Sequence, residues 1–495
     1  MVETVEPGAG DPAAAGEKRR RRAVERSEAG FSATGAKAAD TKGQISWALF
    51  EWGRNPYVIL ITIYIFSPYF SNVVVGDPVR GQALWGDINA AAGVVIAILA
   101  PFLGAVADSV GRRKPWIAGF VLVMVPCMAA LWFAMPGGTG LGVPLVAAMV
   151  VVVAIAFAFT EVFHNSMLPA VAPHERIGFL SGLGLALGNA GAVLLLIFML
   201  IAFMLPGQVS WPFVPAEPLF GIDQATHENS RISGPLAAAW LFVFTLPLLL
   251  FTPDAAGQGL PIRRAVAQGL GRVWRTVLSL KHYRNVAAYL IARMFYNDGL
   301  TAVLIFGGVY AAGIFQWQAL ELTIYGILLS IFAVLGGVLG GWLDDTFGSK
   351  SAIMITIGCT SLTILIGVSI TPSEIFFVIP HDPAAPKLWG LPFFNTLPEL
   401  VYLLNALFIA IFVTASYANS RTMLARLAPT EKMTEFFGLY ALSGTATAFL
   451  GPLLVGNVTE VWQSQRAGFG SVILLLLIGF VGILFVREER AKVAD

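Results

Sequence analysis

Apolar residues run through the chain in long stretches broken by short polar turns. Twelve of these stretches reach the roughly 20 residues a helix needs to cross a bilayer. They cover 46–72, 84–107, 115–135, 143–168, 178–205 and 234–252, then 288–314, 320–343, 350–370, 397–424, 434–460 and 467–486. Between the two sets lies 253–287, which opens with Pro253 and Asp254 and reads as a linker between halves. The pattern predicts an all-α membrane protein of twelve transmembrane helices in two pseudo-symmetric six-helix bundles, 46–252 and 288–486. A polar tail, 1–45, precedes them and a short one, 487–495, follows. The first tail is rich in Ala, Gly, Glu and Arg, includes the basic run Lys18 to Arg22, and reads as disordered rather than as a signal peptide.

Composition sharpens this picture. Of 495 residues, 57% are hydrophobic and 12% charged, against about 25% charged in an ordinary soluble domain, which excludes a soluble enzyme. A formal net charge of +1 gives no basic field to draw nucleic acid. Lys and Arg crowd the N-terminal tail, the turn at 112–114, the linker, 421–432 and the C-terminus, whereas Arg80, Arg231, Lys387 and Arg466 fall on the other side. Cytoplasmic loops keep positive charge, so both termini are expected in the cytoplasm. Within the linker, Ile262, Val266, Leu270, Trp274 and Val277 recur at helical spacing among Arg263, Arg264, Arg272, Arg275 and Lys281. That predicts an amphipathic helix on the inner membrane surface, where it meets lipid headgroups. Cys127 and Cys359 stand inside apolar runs and read as small hydrophobes. No zinc spacing, nucleophile elbow or nucleotide loop occurs, so no catalytic residue, metal or cofactor is expected.

A charge at the centre of a spanning helix costs about 2.5–3.5 kcal/mol on insertion scales, so several in one chain demand partners or a wet cavity. The first span carries Glu51, Arg54 and Asn55, at helical spacings that put Arg54 and Asn55 on the side of Glu51. The fourth carries Glu161, His164 and Asn165; the seventh carries Arg293, Tyr296, Asn297 and Asp298; the tenth carries Asn405, Ser416, Tyr417 and Asn419. Glu51 and Asp298 suit binding of a substrate amine or uptake and release of a proton in low dielectric. The plainer alternative is a packing pair, Glu51 with Arg54 and Asp298 with a neighbour such as Arg293. Arg54 and Arg293 can clasp a carboxylate or phosphate bidentately. His164 can relay protons, or simply bond to Glu161.

The two halves look like copies of each other. GAVADSVGRRKPW, Gly104 to Trp116, follows the second span, and GGWLDDTFGSKSA, Gly340 to Ala352, follows the eighth. Asp108, Gly111, Arg112 and Arg113 in the first, with Asp344, Asp345 and Gly348 in the second, are candidates for a gate whose contacts change between states. Asn165 to Gly191 and Asn419 to Leu454 form a second matching pair of stretches. Parallel six-helix repeats fit a transporter with its site between the halves.

With Gly104, Asp108, Gly111, Arg112 and Arg113 right after span two, the chain resembles the major facilitator superfamily. Four patches make it similar to the vacuole-effluxer family within it: WALFEWGRNPY (Trp47 to Tyr57), NSMLP with SGLGLALG behind it (Asn165 to Gly188), FYNDG (Phe295 to Gly299), and EFFGLY with GTATAFLGP (Glu435 to Pro452). The resemblance implies the major facilitator fold, a central cavity lined by spans one, four, seven and ten, a place in a bacterial inner (plasma) membrane, and export of amino acids, neutral ones especially. The expectation is therefore a secondary transporter that moves a small polar solute by alternating access, with protons as a candidate driving ion. Two readings stay open beside it: a cation-coupled sugar symporter, and a membrane protein that binds lipid or a partner without moving solute.

Overall fold

The computed structural model describes residues 38–109, 112–172, 177–254, 280–427 and 433–487, together with Gly271 and Leu278. The basic run of the N-terminal tail, Gly111 and most of the expected linker helix lie outside the described residues. Among the described residues, twelve helices are long and apolar enough to cross a membrane. The first six are α1 (Thr41–Val74), α2 (Pro78–Leu99), α3 (Lys114–Phe133), α4 (Val143–Leu168), α5 (Leu183–Met204) and α6 (Glu228–Phe251). The second six are α7 (Arg284–Phe315), α8 (Ala319–Phe347), α9 (Ser349–Val368), α10 (Leu397–Leu424), α11 (Phe436–Trp462) and α12 (Gln465–Leu484). The most enclosed are α1 and α7, with 72% and 78% of their apolar windows inside the protein. They are equivalent helices of the two repeats, so each bundle is built around its own first member.

Helix α1 starts before the apolar run does. Asp40 caps it by accepting from Gly43 N at 2.8 Å, and Ala39 N donates to Val171 O at 3.1 Å, so the last residues of the expected tail belong to the fold. Proline then shapes the middle of the helix. Pro56 has no N–H to give the carbonyl four residues back. That carbonyl, Trp52 O, accepts from Trp240 Nε1 on α6 at 3.0 Å instead. Beyond Pro56 the backbone widens into π-helical turns over Tyr57–Tyr64 and again over Phe70–Val74.

A second proline corrects the expected pattern. The run 434–460 predicts one unbroken helix, but α11 is two segments, Met433–Thr445 and Leu450–Trp462, separated by a turn at 446–449. Pro452 withholds its N–H from Ala448 O, and its ring crowds the same carbonyl, so the chain breaks one turn upstream.

The repeat shows in the tethers between helices. Lys114, at the start of α3, donates from Nζ to Leu249 O near the end of α6 at 2.8 Å. Lys350, at the start of α9, reaches Leu484 O at 2.9 Å and Val486 O at 2.7 Å at the end of α12. The halves meet through small residues: a Cβ on Gly86 of α2 would sit 2.7 Å from Pro452 O of α11, and one on Gly308 of α7 would collide with Ile63 O of α1. Close backbone approach of this kind is how membrane helices pack without a hydrophobic driving force. After α9 a short antiparallel hairpin, β1 (Glu374–Ile375) and β2 (Ile379–Pro380), is tied down by Arg466, which meets Glu374 Oε1 at 2.9 Å.

Candidate functional site

The buried polar residues gather into two clusters, one in each bundle. In the first, Arg54 of α1 reaches two carboxylates at once, Glu51 Oε2 at 2.9 Å and Glu161 Oε2 at 3.3 Å, and its guanidinium carbon lies 4.3 Å from the centre of the Phe157 ring. Helical spacing brings Glu51 and Arg54 together as expected. His164 of α4 is fully buried and stacks on Trp47, the ring centres 4.3 Å apart. Its Nε2 lies 2.9 Å from Trp47 O, while Trp47 Nε1 donates to His164 O at 3.1 Å. Its Nδ1 lies 3.1 Å from Glu51 Oε1. The sequence reading offered Glu161 as its partner. The structure gives Glu51, because Glu161 sits at the edge of the cluster with about half its side chain exposed, where Arg54 takes it. Both ring nitrogens of His164 therefore face acceptors, and a ring with one proton can serve only one of them.

In the second cluster, Arg293 of α7 is buried and turns toward α11. Its Nη1 donates to Tyr440 O at 2.8 Å and Ser443 Oγ at 2.7 Å, and its Nη2 donates to Asn297 Oδ1 at 3.3 Å. The guanidinium carbon sits 3.5 Å from the centre of the Tyr440 ring, a cation–π contact. The suggested pairing of Asp298 with Arg293 is not formed. Five residues apart, the two stand about 140° apart around the helix. The Asp298 carboxylate lies beside Thr447, Leu450 and Gly451 at the break in α11, where the Leu450 N–H is given to Thr447 O at 2.8 Å and the Thr447 hydroxyl to Met294 O at 3.4 Å. It closes no hydrogen bond of standard geometry among the described residues. Tyr296 bonds Ser420 Oγ at 2.8 Å, and Tyr289 donates to Ser420 O, joining α7 to α10. On α10, Asn405 donates to Thr363 O at 2.9 Å within its own bundle, and Tyr417 meets Thr301 at 3.1 Å.

A cavity of about 800 Å3 lies between the bundles, lined from α1, α5, α7, α8 and α10 with Phe469 of α12. Val58, Ile59, Leu304 and Leu329 give it an apolar wall, and no charged side chain lines it among the described residues. Of the candidate residues only Asn55 reaches it, hydrogen-bonded to Asn189 of α5 at 3.2 Å. Glu51, Arg54, Arg293 and Asp298 thus face two separate intrabundle networks and not one shared pocket. Asn189, Tyr64, Tyr325, Tyr402, Ser330 and Thr414 line the cavity and were not singled out by the sequence reading. Of these, only Asn189 falls within a stretch the two halves share, Asn165 to Gly191.

The cavity is closed at the end away from the termini. Tyr64 and Tyr325 meet edge to face across the halves, 5.9 Å between ring centres, and Gly326 lies flat against Tyr64. Every side-chain hydrogen bond joining the halves among the described residues lies at that end: Gln82 Nε2 to Thr459 Oγ1 at 2.8 Å, Gln82 Nε2 to Gln465 O at 3.2 Å, and Gln465 Nε2 to Pro78 O at 2.8 Å.

Of the gate candidates, Asp344 is held within a single bundle. Asp344 bonds Arg426 Nη2 at 2.6 Å, Thr422 Oγ1 at 3.1 Å and the Ser349 hydroxyl, so it ties α8 to α9 and α10 of its own half. Asp345 is exposed, and Gly348 holds φ at +84°, a conformation L side chains rarely adopt. In the first repeat the cap on α3 comes from an unexpected residue. Asp254 accepts from Arg113 N at 2.9 Å and Lys114 N at 3.1 Å, while Arg112 is exposed. The side chain of Asp108 lies outside the described residues. No cluster of His, Cys, Asp or Glu that could hold a metal ion occurs among them either.

Comparison with known proteins agrees with this geometry. The family described as "Vacuole effluxer Atg22 like" matches residues 174–495. The MFS-type transporter YxiO of Bacillus subtilis is 24% identical over 457 residues, covering 91% of this chain and 96% of its own. Autophagy-related protein 22 of Yarrowia lipolytica is 23% identical over 339 residues, covering 63% of this chain and 51% of its own, so the match spans about half of that fungal relative. Among solved structures, the inward open xylose transporter XylE from E. coli superposes with a TM-score of 0.58 at 14% identity, over 91% of this chain and 97% of that one.

Proposed function

The chain belongs to the vacuole effluxer Atg22-like family of major facilitator transporters, and from that premise we propose that it exports amino acids by alternating access, with protons moving through the α1–α4 cluster. One observation carries the mechanism: a cavity of about 800 Å3 bounded by both bundles and sealed at one end by contacts that run between them. A solute that enters from the side of the termini meets the Asn55–Asn189 amide pair, whose donors and acceptors suit a small polar molecule. Rocking of the bundles about this site then opens the far end. Both termini lie in the cytoplasm, following the charge bias of the loops, so export runs from the present cavity outward through the plasma membrane of a bacterium.

Proton coupling rests on Glu51 and His164. Glu51 Oε1 and His164 Nδ1 lie 3.1 Å apart, within reach of a proton passed between carboxylate and ring, and Arg54 lies 2.9 Å from the same carboxylate. The absence of charge in the cavity wall among the described residues favours a second reading, a neutral polar solute such as a sugar.

Purified protein in liposomes, loaded with labelled neutral amino acids, sugars or nucleosides, tests both. We expect amino-acid flux that a pH gradient accelerates, and Glu51→Gln should keep flux while losing that acceleration. Movement of sugars without amino acids would overturn the substrate reading, and acceleration retained in Glu51→Gln would overturn the coupling site.

A further inference from the structure

Arg293 and Asp298 are expensive groups that do not line the cavity, and they address the two ends of one structural defect. The first segment of α11, Met433–Thr445, ends where Arg293 donates to Tyr440 O and Ser443 Oγ and stacks on the Tyr440 ring. A Cβ on Gly444 would sit 3.2 Å from the guanidinium, so the cation lies against the backbone itself. The second segment, Leu450–Trp462, begins beside the buried Asp298, whose backbone oxygen would lie 2.8 Å from a Cβ on Gly451. A helix C-terminus carries partial negative charge and an N-terminus partial positive charge. The cation is therefore at the end that attracts a cation, and the carboxyl group stands at the end that favours its ionised form. No ion pair joins Arg293 to a carboxylate among the described residues, which leaves the break in α11 as its partner.

Both segments of α11 lie along α2, but the break divides them by how each is fastened. The second segment is fastened to the opposite bundle: Pro452 and Gly456 pack on Gly86, and Thr459 accepts from Gln82. Phe449, the last residue of the turn, rests on Gly93 of α2, where a Cβ would lie 3.0 Å away. No side-chain hydrogen bond from the first segment crosses to the other bundle among the described residues. Its equivalent in the first repeat, Ile177–Met199, is continuous helix, so the defect is particular to the second half.

We propose that α11 is a hinged helix whose turn at 446–449 is clamped by Arg293 and Asp298, and that its first segment swings as the gate on the side of the termini while the second stays with the opposite bundle. Arg293 and Asp298 are then positioning residues and not solute ligands. The inference rests on the transporter reading for its purpose but not for its geometry.

The test is a pair of distances measured by spin labels on the full-length protein in lipid nanodiscs, in a background lacking Cys127 and Cys359. One pair, Phe437→Cys with Ile355→Cys, reports the first segment of α11 against α9. The other, Val461→Cys with Leu365→Cys, reports the second segment and doubles as a check on folding. All four positions are surface-exposed. Arg293→Gln and Asp298→Asn are each expected to split the single distance of the first pair into two populations while leaving the second pair unchanged. In transport, both variants should lower kcat with KM unmoved. Unchanged distances in both pairs would overturn the proposal, as would a raised KM with the first pair unmoved, which marks a solute ligand. If a variant loses the second pair's distance, Arg293→Lys, which keeps the charge, replaces it and must give a split between wild type and Gln. Absence of amino-acid flux would sink the proposed substrate and leave the distance result standing.

Discussion

Removing the Arg54 guanidinium would leave Glu51 and Glu161 facing a space they now share with one cation. Breaking a buried ion pair by deleting one partner costs about 3–5 kcal/mol, whereas deleting both can be close to neutral. Arg54→Met is therefore expected to lower the thermal unfolding midpoint in detergent sharply, and adding Glu51→Met should restore part of the loss. A single variant that melts with the wild type would mean that the cluster is solvated and not a closed network. The pairing of Glu51 with Arg54 was legible from spacing, since they are one helical turn apart, but Arg54 with Glu161 and His164 with Glu51 join different helices and were not. Nor were the partners of Arg293. They are a carbonyl, a hydroxyl and a ring face on a helix far along the chain, and no local pattern marks such groups as cation ligands.

At the scale of the element, proline decides where a spanning run departs from a regular helix. Hydropathy is blind to a missing N–H, so 46–72 and 434–460 read as ordinary spans although Pro56 and Pro452 stand in plain view. The freed carbonyl at Trp52 is answered by the Trp240 indole. A buried acceptor left unmet costs about 1–3 kcal/mol, so Trp240→Phe should destabilise the protein by that amount. Pro56→Ala restores an N–H at the position that would bond Trp52 O, so the effect of Trp240→Phe should shrink in that background. Strict additivity of the two changes in a double-mutant cycle of unfolding would refute this account of α1. The same blindness explains the tail boundary: the polar start of α1, from Asp40 through Gln44, carries no apolar signal, and only its Asp cap marked it as helix.

For the whole molecule, the two-bundle plan was visible because it is written in the number and length of apolar runs and in the repeated turns. The cavity was hidden for the opposite reason. Its wall is made of apolar, aromatic and amide side chains that do not stand out in an apolar chain, and it exists only where two bundles leave a gap. The charges that did stand out serve the inside of each bundle. Transport through that gap requires the contacts at its closed end to part in every cycle. A pair of cysteines, Gln82→Cys with Thr459→Cys in a chain lacking Cys127 and Cys359, places two thiols at the hydrogen bond that fastens α2 to α11 across the halves. Amino-acid flux in liposomes, measured before and after bridging these thiols with a short bifunctional reagent, is the direct measurement. Flux should stop on bridging and return when a cleavable bridge is cut. Flux that continues at its original rate with the bridge intact would contradict passage between the bundles.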